Sequence, residues 1–218
     1  MQTNISIKLI VGELAVKKLR LHFLVPNEII ENDNTIIFDK NNIIDISIRN
    51  RSTTNSEAFS LGVTSLMGSI QLKDYNNYLF YLSTNKLIGE NIEIQLYNGT
   101  SLLNVFYTTK DWEYSNQNKQ VDIELKGKTS FWSDIETFGI KYRENVTGVN
   151  LLSDLLAMSN LTMKDIIIDA DVFTYLDKFL FSKAFLSPAK LQEVWNKFCY
   201  ATLLFVYESG GKIVVERF

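Results

Sequence analysis

Residues 91 to 100 read Asn-Ile-Glu-Ile-Gln-Leu-Tyr-Asn-Gly-Thr and contain the clearest β-structure signal in the chain. Apolar and polar residues alternate from Asn91 to Leu96, which is the period-2 pattern of a half-buried β-strand. Asn98-Gly99 follows, and Leu102 to Thr108 supplies a second strand-like segment. Asn-Gly between two such segments is the strongest short-range signal for a β-hairpin. The sequence therefore predicts an antiparallel hairpin near the middle of the chain.

The same alternation recurs on both sides of this hairpin. It predicts strands at 5–9, 19–25, 35–38, 43–48, 59–72, 111–114 and 120–125. Two glycines within the fifth of these segments indicate a bulged or bent strand, which helps a sheet to curl. Closely spaced strands from about Ile43 to Leu125 are typical of an antiparallel barrel or sandwich.

The pattern changes after Ser130, where helical spacing begins. Asn150 is predicted to cap a short helix whose leucines at 151, 152, 155 and 156 share one face. A second helix is predicted over 188–200, with Ser187 as N-cap and Pro188 at the first helical position. Its apolar stripe consists of Leu191, Val194, Trp195, Phe198 and Cys199.

A predicted hairpin ends the chain, with strands over 203–207 and 213–218 around the turn from Glu208 to Lys212. The sequence thus predicts a mostly-β (β+α) fold. Its segments are an N-terminal extension with strands (1–42), an antiparallel β-barrel-like domain (43–130) and an α+β domain (131–218) containing the helix and the hairpin.

Composition narrows the classes of function. The chain has 218 residues, of which 46% are hydrophobic, so a large core can form. A net charge of -3 provides no field to attract a phosphate backbone, which argues against a nucleic-acid partner. A single cysteine excludes an internal disulfide, and the sequence lacks both a signal-like start and a run of about 20 apolar residues. We expect cytoplasmic synthesis and no membrane anchor.

Few residues suggest chemistry. His22 is the only histidine, and its neighbours at alternate positions, Lys18 and Arg20, predict a solvated or interface residue over a general base. Cys199 lies on the apolar stripe, which favours a buried thiol over a nucleophile. Asp169 and Asp171 lack the glycine and the later glutamate of a calcium loop, so a loop or helix cap is favoured.

A phosphate loop and a zinc site are both disfavoured. Gly127-Lys-Thr129 has the lysine and hydroxyl that end a phosphate loop, but Asp122 stands where its first glycine is needed. One cysteine and one histidine cannot supply a conventional structural zinc site. We assign no catalytic, cofactor-binding or metal-binding residue and no cofactor.

Aromatic residues leave two readings open. Stacking on sugars and burial at a core or protein interface would each use such rings, and the second is favoured. The residues are Tyr75, Tyr78, Phe80, Tyr81, Trp112 and Tyr114.

The order of these elements resembles the baseplate hub and tail-tip proteins of tailed bacteriophages and contractile injection systems. The resemblance covers about residues 43 to 218. It is carried by segments 44–52, 59–72, 92–97, 104–114, 120–131, 191–201 and 211–215. It implies a structural protein without an active site, usually a homotrimeric ring that joins the tail tube to the tip.

Three functions follow as hypotheses. The first is a virion structural protein of the tail, a hub or adaptor whose partners are copies of itself and tube, tape-measure or other tail-tip proteins. The second is a receptor- or carbohydrate-binding module of the tail tip. The third is an enzyme using carboxylates such as Glu113 and Glu124, although no spacing singles out a pair.

Overall fold

The computed structural model describes residues 4–26, 28–52, 61–87, 92–108, 112–115, 117–137, 141–186 and 189–218. These residues contain fourteen β-strands and five α-helices, which confirms a mostly-β fold. The chain divides into two compact units. Unit 1 consists of Met1–Arg49 and Met67–Gly127, and unit 2 of Asn50–Leu66 and Lys128–Phe218.

Unit 1 is built on antiparallel strands, two of which (β4 and β5) extend into unit 2. Its strands are β1 (Ile5–Ile10), β2 (Ile30–Asn32), β3 (Thr35–Phe38), β4 (Ile43–Ser52), β5 (Gly62–Lys73), β6 (Ile92–Asn98), β7 (Ser101–Thr108), β8 (Glu113–Ser115) and β9 (Gln120–Lys126). The order is β4-β5-β9-β7-β6-β1-β3-β2, and β8 also pairs with β9. Among the described residues this path is open at both ends, so closure into a barrel or sandwich stays a prediction.

The predicted central hairpin is confirmed. Asn98 pairs with Ser101 across a two-residue loop, and Gly99 has a φ of 61°. Glycine adopts this left-handed conformation without the steric cost that a side chain brings.

The N-terminal segment, predicted as an extension over 1–42, contributes strands β1, β2 and β3 to the sheet of unit 1. Strand β1 pairs with β3 on one side and β6 on the other, and Ile7 lies opposite both Phe38 and Leu96. Ile7 and Leu9 are fully buried because the inward face of β1 lies in the core of unit 1.

The predicted strand over 19–25 is wrong. Residues Glu13–His22 form helix α1, which buries Ala15, Val16 and Leu19. These three residues lie on one face at helical spacing, and their burial outweighs the short alternation that begins at Leu19. A second helix, α2 (Tyr78–Thr84), had no predicted counterpart.

Strands β4 and β5 approach closely at Gly68. A β-carbon at this position would lie 2.3 Å from the carbonyl oxygen of Ser47, which is far inside contact distance. Gly68→Ala is therefore expected to lower the free energy of unfolding by about 1–3 kcal/mol, as overpacking does. Urea denaturation checks this, with Gly12→Ala as control because nothing lies within 4 Å of a β-carbon there. Equal effects of the two substitutions would show that β4 can move away.

Unit 2 combines three helices with two groups of strands. Its elements are β10 (Lys141–Thr147), α3 (Gly148–Met158), β11 (Ile166–Ile168), α4 (Ala170–Lys178), β12 (Leu180–Leu186), α5 (Leu191–Thr202), β13 (Leu204–Ser209) and β14 (Lys212–Arg217). Short 3₁₀ segments cover Lys128–Ser133 and Met163–Asp165. Strand β14 lies between β11 and β13, β13 also pairs with Gly62 and Val63 of β5, and β10 pairs with β12.

Helix α3 starts two residues before the predicted cap. Thr147 is the N-cap, and its hydroxyl accepts a hydrogen bond from the amide of Asn150. The four leucines predicted to share a face are all buried. Asn150 is thus a donor to the cap and not the cap itself.

Helix α5 begins at Leu191, after an extended Lys190, three residues later than predicted. The predicted cap, Ser187 and Pro188, lies outside the described residues. Leu191, Val194, Trp195, Phe198 and Cys199 are all buried, which confirms the stripe. Together with the leucines of α3 and residues of β13 and β14 they form the core of unit 2.

Leu203 ends α5 and does not begin the next strand. It adopts the left-handed conformation with a φ of 55°, which costs about 1–2 kcal/mol for a residue other than glycine. Its side chain is half exposed and so contributes little packing. Leu203→Gly is expected to raise the free energy of unfolding by about 0.5–1 kcal/mol. Urea titration checks this against Leu203→Ala, which also shortens the side chain but keeps a β-carbon; a glycine variant no more stable than the alanine variant contradicts it.

Candidate assembly surfaces

His22 is the exposed last residue of α1 and belongs to an aromatic group. Its ring stacks on Tyr81, with centroids 4.4 Å apart and planes at 17°, and meets the edge of Phe23 at 4.7 Å. Phe23 in turn contacts Tyr78 and Tyr81. The histidine predicted to be a surface or interface residue is therefore a packing partner on the surface of unit 1.

The aromatic residues singled out in the sequence do not form one platform. Tyr78 and Tyr81 join His22, whereas Phe80 packs against Tyr114 with centroids 4.6 Å apart. Trp112 is buried. Most of these rings serve packing within unit 1, as the favoured reading expected.

Tyr75 differs, because half of its surface is exposed. It borders a small cleft in unit 1 with Asn42, Lys73, Asp74 and Asn76 among the lining residues, and Lys73 Nζ lies 5.3 Å from its ring centroid. Asp74 is buried and accepts a hydrogen bond from the amide of Phe80 at 2.9 Å. Burial raises the pKa of Asp74, against the opposing effect of the amides at the start of α2.

Cys199 is fully buried within the core of unit 2, as predicted. Burial raises the pKa of its thiol to about 12. Because the thiolate is the reactive form, this cysteine is not a nucleophile near neutral pH.

Lys128 and Thr129, which resemble the end of a phosphate loop, hydrogen-bond to the carboxylate of Glu208. The amide of Lys128 donates to Glu208 Oε2 at 2.9 Å, and the amide of Thr129 donates to Oε1 at 2.7 Å. The Thr129 hydroxyl also hydrogen-bonds Oε1 and lies 3.0 Å from the carbonyl oxygen of Thr64. Glu208 thus takes the place an anion would occupy at the start of the 3₁₀ segment.

Sequence reasoning placed Glu208 in a turn and missed this contact. Glu208 is in fact the fifth residue of β13, and its side chain is buried. Burial raises the pKa of its carboxyl group, and the hydrogen bonds from Thr129 and Lys128 oppose that rise. A buried carboxylate needs hydrogen-bond donors, so such a contact is expected wherever Glu208 is buried. The donors could not be identified from the sequence because Thr129 lies 79 residues away along the chain.

The remaining carboxylates do not converge on a site. Asp169 occupies the N-cap position of α4, although its side chain makes no capping hydrogen bond, and Asp171 lies in the first turn of the helix. Glu113 and Glu124 are exposed on β8 and β9, and Glu124 lies 3.9 Å from Lys126 Nζ. In the described part of the chain, no three acidic, histidine or cysteine residues form a cluster that could hold a metal ion.

Helix α1 exposes an apolar and basic surface on unit 1. Leu14 and Leu21 lie two turns apart on the side opposite its buried face, and are 61% and 83% exposed. Lys17 and Lys18 flank them, and Leu24 just beyond the helix is fully exposed. These five residues are called the α1 surface below.

Helix α4 exposes an apolar and acidic surface on unit 2. Phe173 is 38% exposed, and Asp177 follows it one turn later on the same side. Asp169 and Asp171 lie at the start of the helix, and Lys178 is the single basic residue in it. Phe173 with Asp169 and Asp177, which lie four residues before and after it, is called the α4 surface below.

The fold of this chain is similar to that of several solved structures. The 43 kDa tail protein of prophage MuSo2 from Shewanella oneidensis matches with a TM-score of 0.55 and 13% identity, over 100% of this chain and 56% of that one. The chain has the fold of a phage tail protein. This confirms the predicted resemblance at the level of the fold.

Two further matches belong to PdpA-VgrG complexes. A lidless complex matches with a TM-score of 0.51 and 9% identity, over 99% of this chain and 35% of that one. The half-lidded Francisella complex matches with a TM-score of 0.50 and 9% identity, over 99% and 31%. The tail-protein fold here thus spans about half of the first match and a third of the others.

No known protein family and no curated protein sequence matches the chain. In the described residues, no helix combines the length and apolarity needed to cross a membrane.

Proposed function

We propose that this chain is a structural protein of a phage-type tail, a hub or adaptor that joins the tail tube to the tail tip. The observation that carries the proposal is the match along the whole chain to the fold of a tail protein. We place the chain in the tail of the virion, in contact with tube, tape-measure or other tail-tip proteins.

The side-chain chemistry supports a non-enzymatic role. His22 is stacked on Tyr81, Cys199 is buried in a core, and Glu208 is engaged by backbone amides. These three residues, whose types could act as a base or a nucleophile, are thus engaged in packing or hydrogen bonding. Large exposed apolar side chains on α1 and α4 suit contacts with other proteins.

The proposed assembly is a closed ring, a homotrimer, because a closed ring leaves no interface unsatisfied. Cryo-electron microscopy of intact particles tests both the location and the symmetry. The expected result is density for this chain as a threefold ring between tube and tip. Absence from the tail, or isolated peripheral copies, would overturn the proposal.

A second candidate is carbohydrate binding at the tail tip, which the exposed Tyr75 beside Asn42 and Asn76 favours. An aromatic face next to amide groups suits a sugar ring. Glycan-array binding that Tyr75→Ala abolishes would support it. Binding that persists in this variant, or no binding at all, would contradict it.

A further inference from the structure

The α1 surface has the features of a protein contact. An exposed leucine alone needs no explanation, but here three leucines follow one side of a helix and the residues just after it. The buried face of α1 already holds Ala15, Val16 and Leu19 in the core of unit 1. The exposed leucines are therefore not needed for folding.

Charge indicates the kind of partner. Helix α1 carries three cationic side chains and one acidic one. Lys17 lies 3.5 Å from Glu13 and Arg20 lies 3.1 Å from Asp33, whereas Lys18 takes part in no ion pair within the described part of the chain. A basic helix with exposed leucines fits an acidic surface that also exposes apolar side chains.

The α4 surface has this complementary character. The negative charges of Asp169 and Asp171 stabilise the start of α4 through the helix dipole. The stability of the helix therefore accounts for both residues. Asp177 is different, because it lies in the last turn, where the dipole disfavours negative charge. Neither Asp169 nor Asp177 takes part in an ion pair among the residues described. An external cationic partner would explain the position of Asp177 next to the exposed Phe173.

We infer that the α1 surface of one copy docks on the α4 surface of the neighbouring copy. The inference rests on the proposed ring and names its contact. Leu14 and Leu21 would pack around Phe173, with Lys17 and Lys18 opposite Asp169 and Asp177. A contact between two α1 surfaces is disfavoured, because it would bring the lysines of both copies together.

Two different surfaces in contact make a heterologous interface. Each copy then offers one donor surface and one acceptor surface, and such contacts form a ring when the rotation between neighbouring copies closes. A symmetric dimer would need each surface to match itself.

Cysteine cross-linking tests the contact directly. Leu21→Cys and Phe173→Cys are made as separate variants of the full chain, mixed, and treated with a short bifunctional thiol reagent. Cys199 stays unreactive because it is fully buried, and the unsubstituted chain is the control. The expected result is a covalent dimer in the mixture only. Cross-links within one variant alone, or none in the mixture at concentrations up to hundreds of micromolar, would overturn the inference.

Charge reversal gives a second readout. Lys17→Glu with Lys18→Glu, or Asp177→Lys alone, should each raise the Kd for self-association at least about tenfold. Mixing the two reversed chains should restore the contact between the reversed surfaces. Lys40→Glu with Lys164→Glu is the matched control, since both lysines are exposed and outside the two surfaces. Equal effects of control and test, or no restoration on mixing, would contradict the contact.

The two proposals can fail separately. A ring in the tail without the α1–α4 cross-link leaves the proposed function standing and removes this contact. A cross-link in solution with the chain absent from tails does the opposite.

Discussion

Trp195→Ala is expected to lower the free energy of unfolding by about 3–5 kcal/mol, as large truncations in a core do. Trp195 is fully buried in the core of unit 2. Its ring stacks on Trp132 with centroids 5.0 Å apart, and meets Phe198 edge to face at 6.3 Å. Alanine would leave a cavity between rings that are held by the surrounding helix and 3₁₀ segment.

A hydrogen bond adds to this loss. Trp195 Nε1 donates to the hydroxyl of Ser159 at 2.8 Å, so the buried indole is fully satisfied. Trp195→Phe keeps most of the ring but removes this donor, and should cost less than alanine. Comparing the two variants separates the cavity from the hydrogen bond.

Thermal and urea unfolding measure the effect, with Tyr200→Ala as control. Tyr200 lies on the same helix and is half exposed, so its truncation removes an aromatic ring without opening the core. A Trp195→Ala variant no less stable than the Tyr200→Ala control would place Trp195 outside the core.

Glu208→Ala is expected to lower the free energy of unfolding by about 3 kcal/mol or more. The change removes the acceptor for the amides of Lys128 and Thr129 and for the Thr129 hydroxyl. Each buried donor left without an acceptor costs about 1–3 kcal/mol. Water entering the space left by the side chain would reduce the loss.

Glu216→Ala is the matched control for this change. Glu216 lies on the other strand of the same hairpin and is partly exposed, and among the described residues its carboxylate accepts a single hydrogen bond, from the Tyr207 hydroxyl at 2.9 Å. Its removal should cost about 1 kcal/mol or less. Similar losses for both glutamates would show that the three donors at Lys128 and Thr129 find other partners.

Glu208 also makes the stability of the fold depend on pH, and the sign of this dependence follows from its pKa. Burial raises the pKa of Glu208 in the folded chain above its ordinary value of 4.5, while the positive charge of Lys128 opposes the rise. The folded state then holds the proton at a pH where the unfolded state has lost it. The stabilisation from this proton is full below pH 4.5 and is lost as pH rises through the folded pKa.

Glu208→Gln removes the contribution of this proton to the free energy of unfolding, because glutamine does not titrate. The stability of the original chain relative to this variant should fall as pH rises from 4.5. Asp74 also has a raised pKa, but it is present in both chains and cancels in the comparison. Urea titrations across this range measure the difference, and a difference that grows with pH would mean that the fold favours the carboxylate.

The hydrogen-bonding groups around Glu208 accommodate the proton that burial favours. The single proton of the Thr129 hydroxyl lies within reach of both Glu208 and the carbonyl of Thr64. If Glu208 is protonated, its own proton can go to Thr129, whose hydroxyl then donates to Thr64. All these buried polar atoms are then satisfied together.

Sequence alone identified the elements that nearest neighbours specify. Asn98-Gly99 sets a tight turn because glycine accepts a positive φ, and Gly210 and Gly211 do the same between β13 and β14. The stripe on α5 was likewise readable, since burial repeats at helical spacing. Such signals span a few residues and do not depend on distant partners.

Alternation misled where a helix and a strand share a short pattern. Residues from Leu19 alternate as a strand would, yet α1 continues to His22 because Ala15 and Val16 are buried with Leu19. A sequence window that starts at Leu19 excludes Ala15 and Val16, whose burial favours the helix. The end of α5 at Leu203 could not be predicted from the sequence either, because a leucine gives no indication that its φ is positive.

By itself, the sequence determined the mostly-β class, the hairpins and the buried stripe of α5, because each depends on residues close together in the chain. Only the tertiary structure placed β1 between β3 and β6, joined Glu208 to Thr129 and turned the leucines of α1 outward. The reason is physical. Strand order, buried polar pairs and exposed faces depend on which distant segments pack together, and that choice is made by the whole chain.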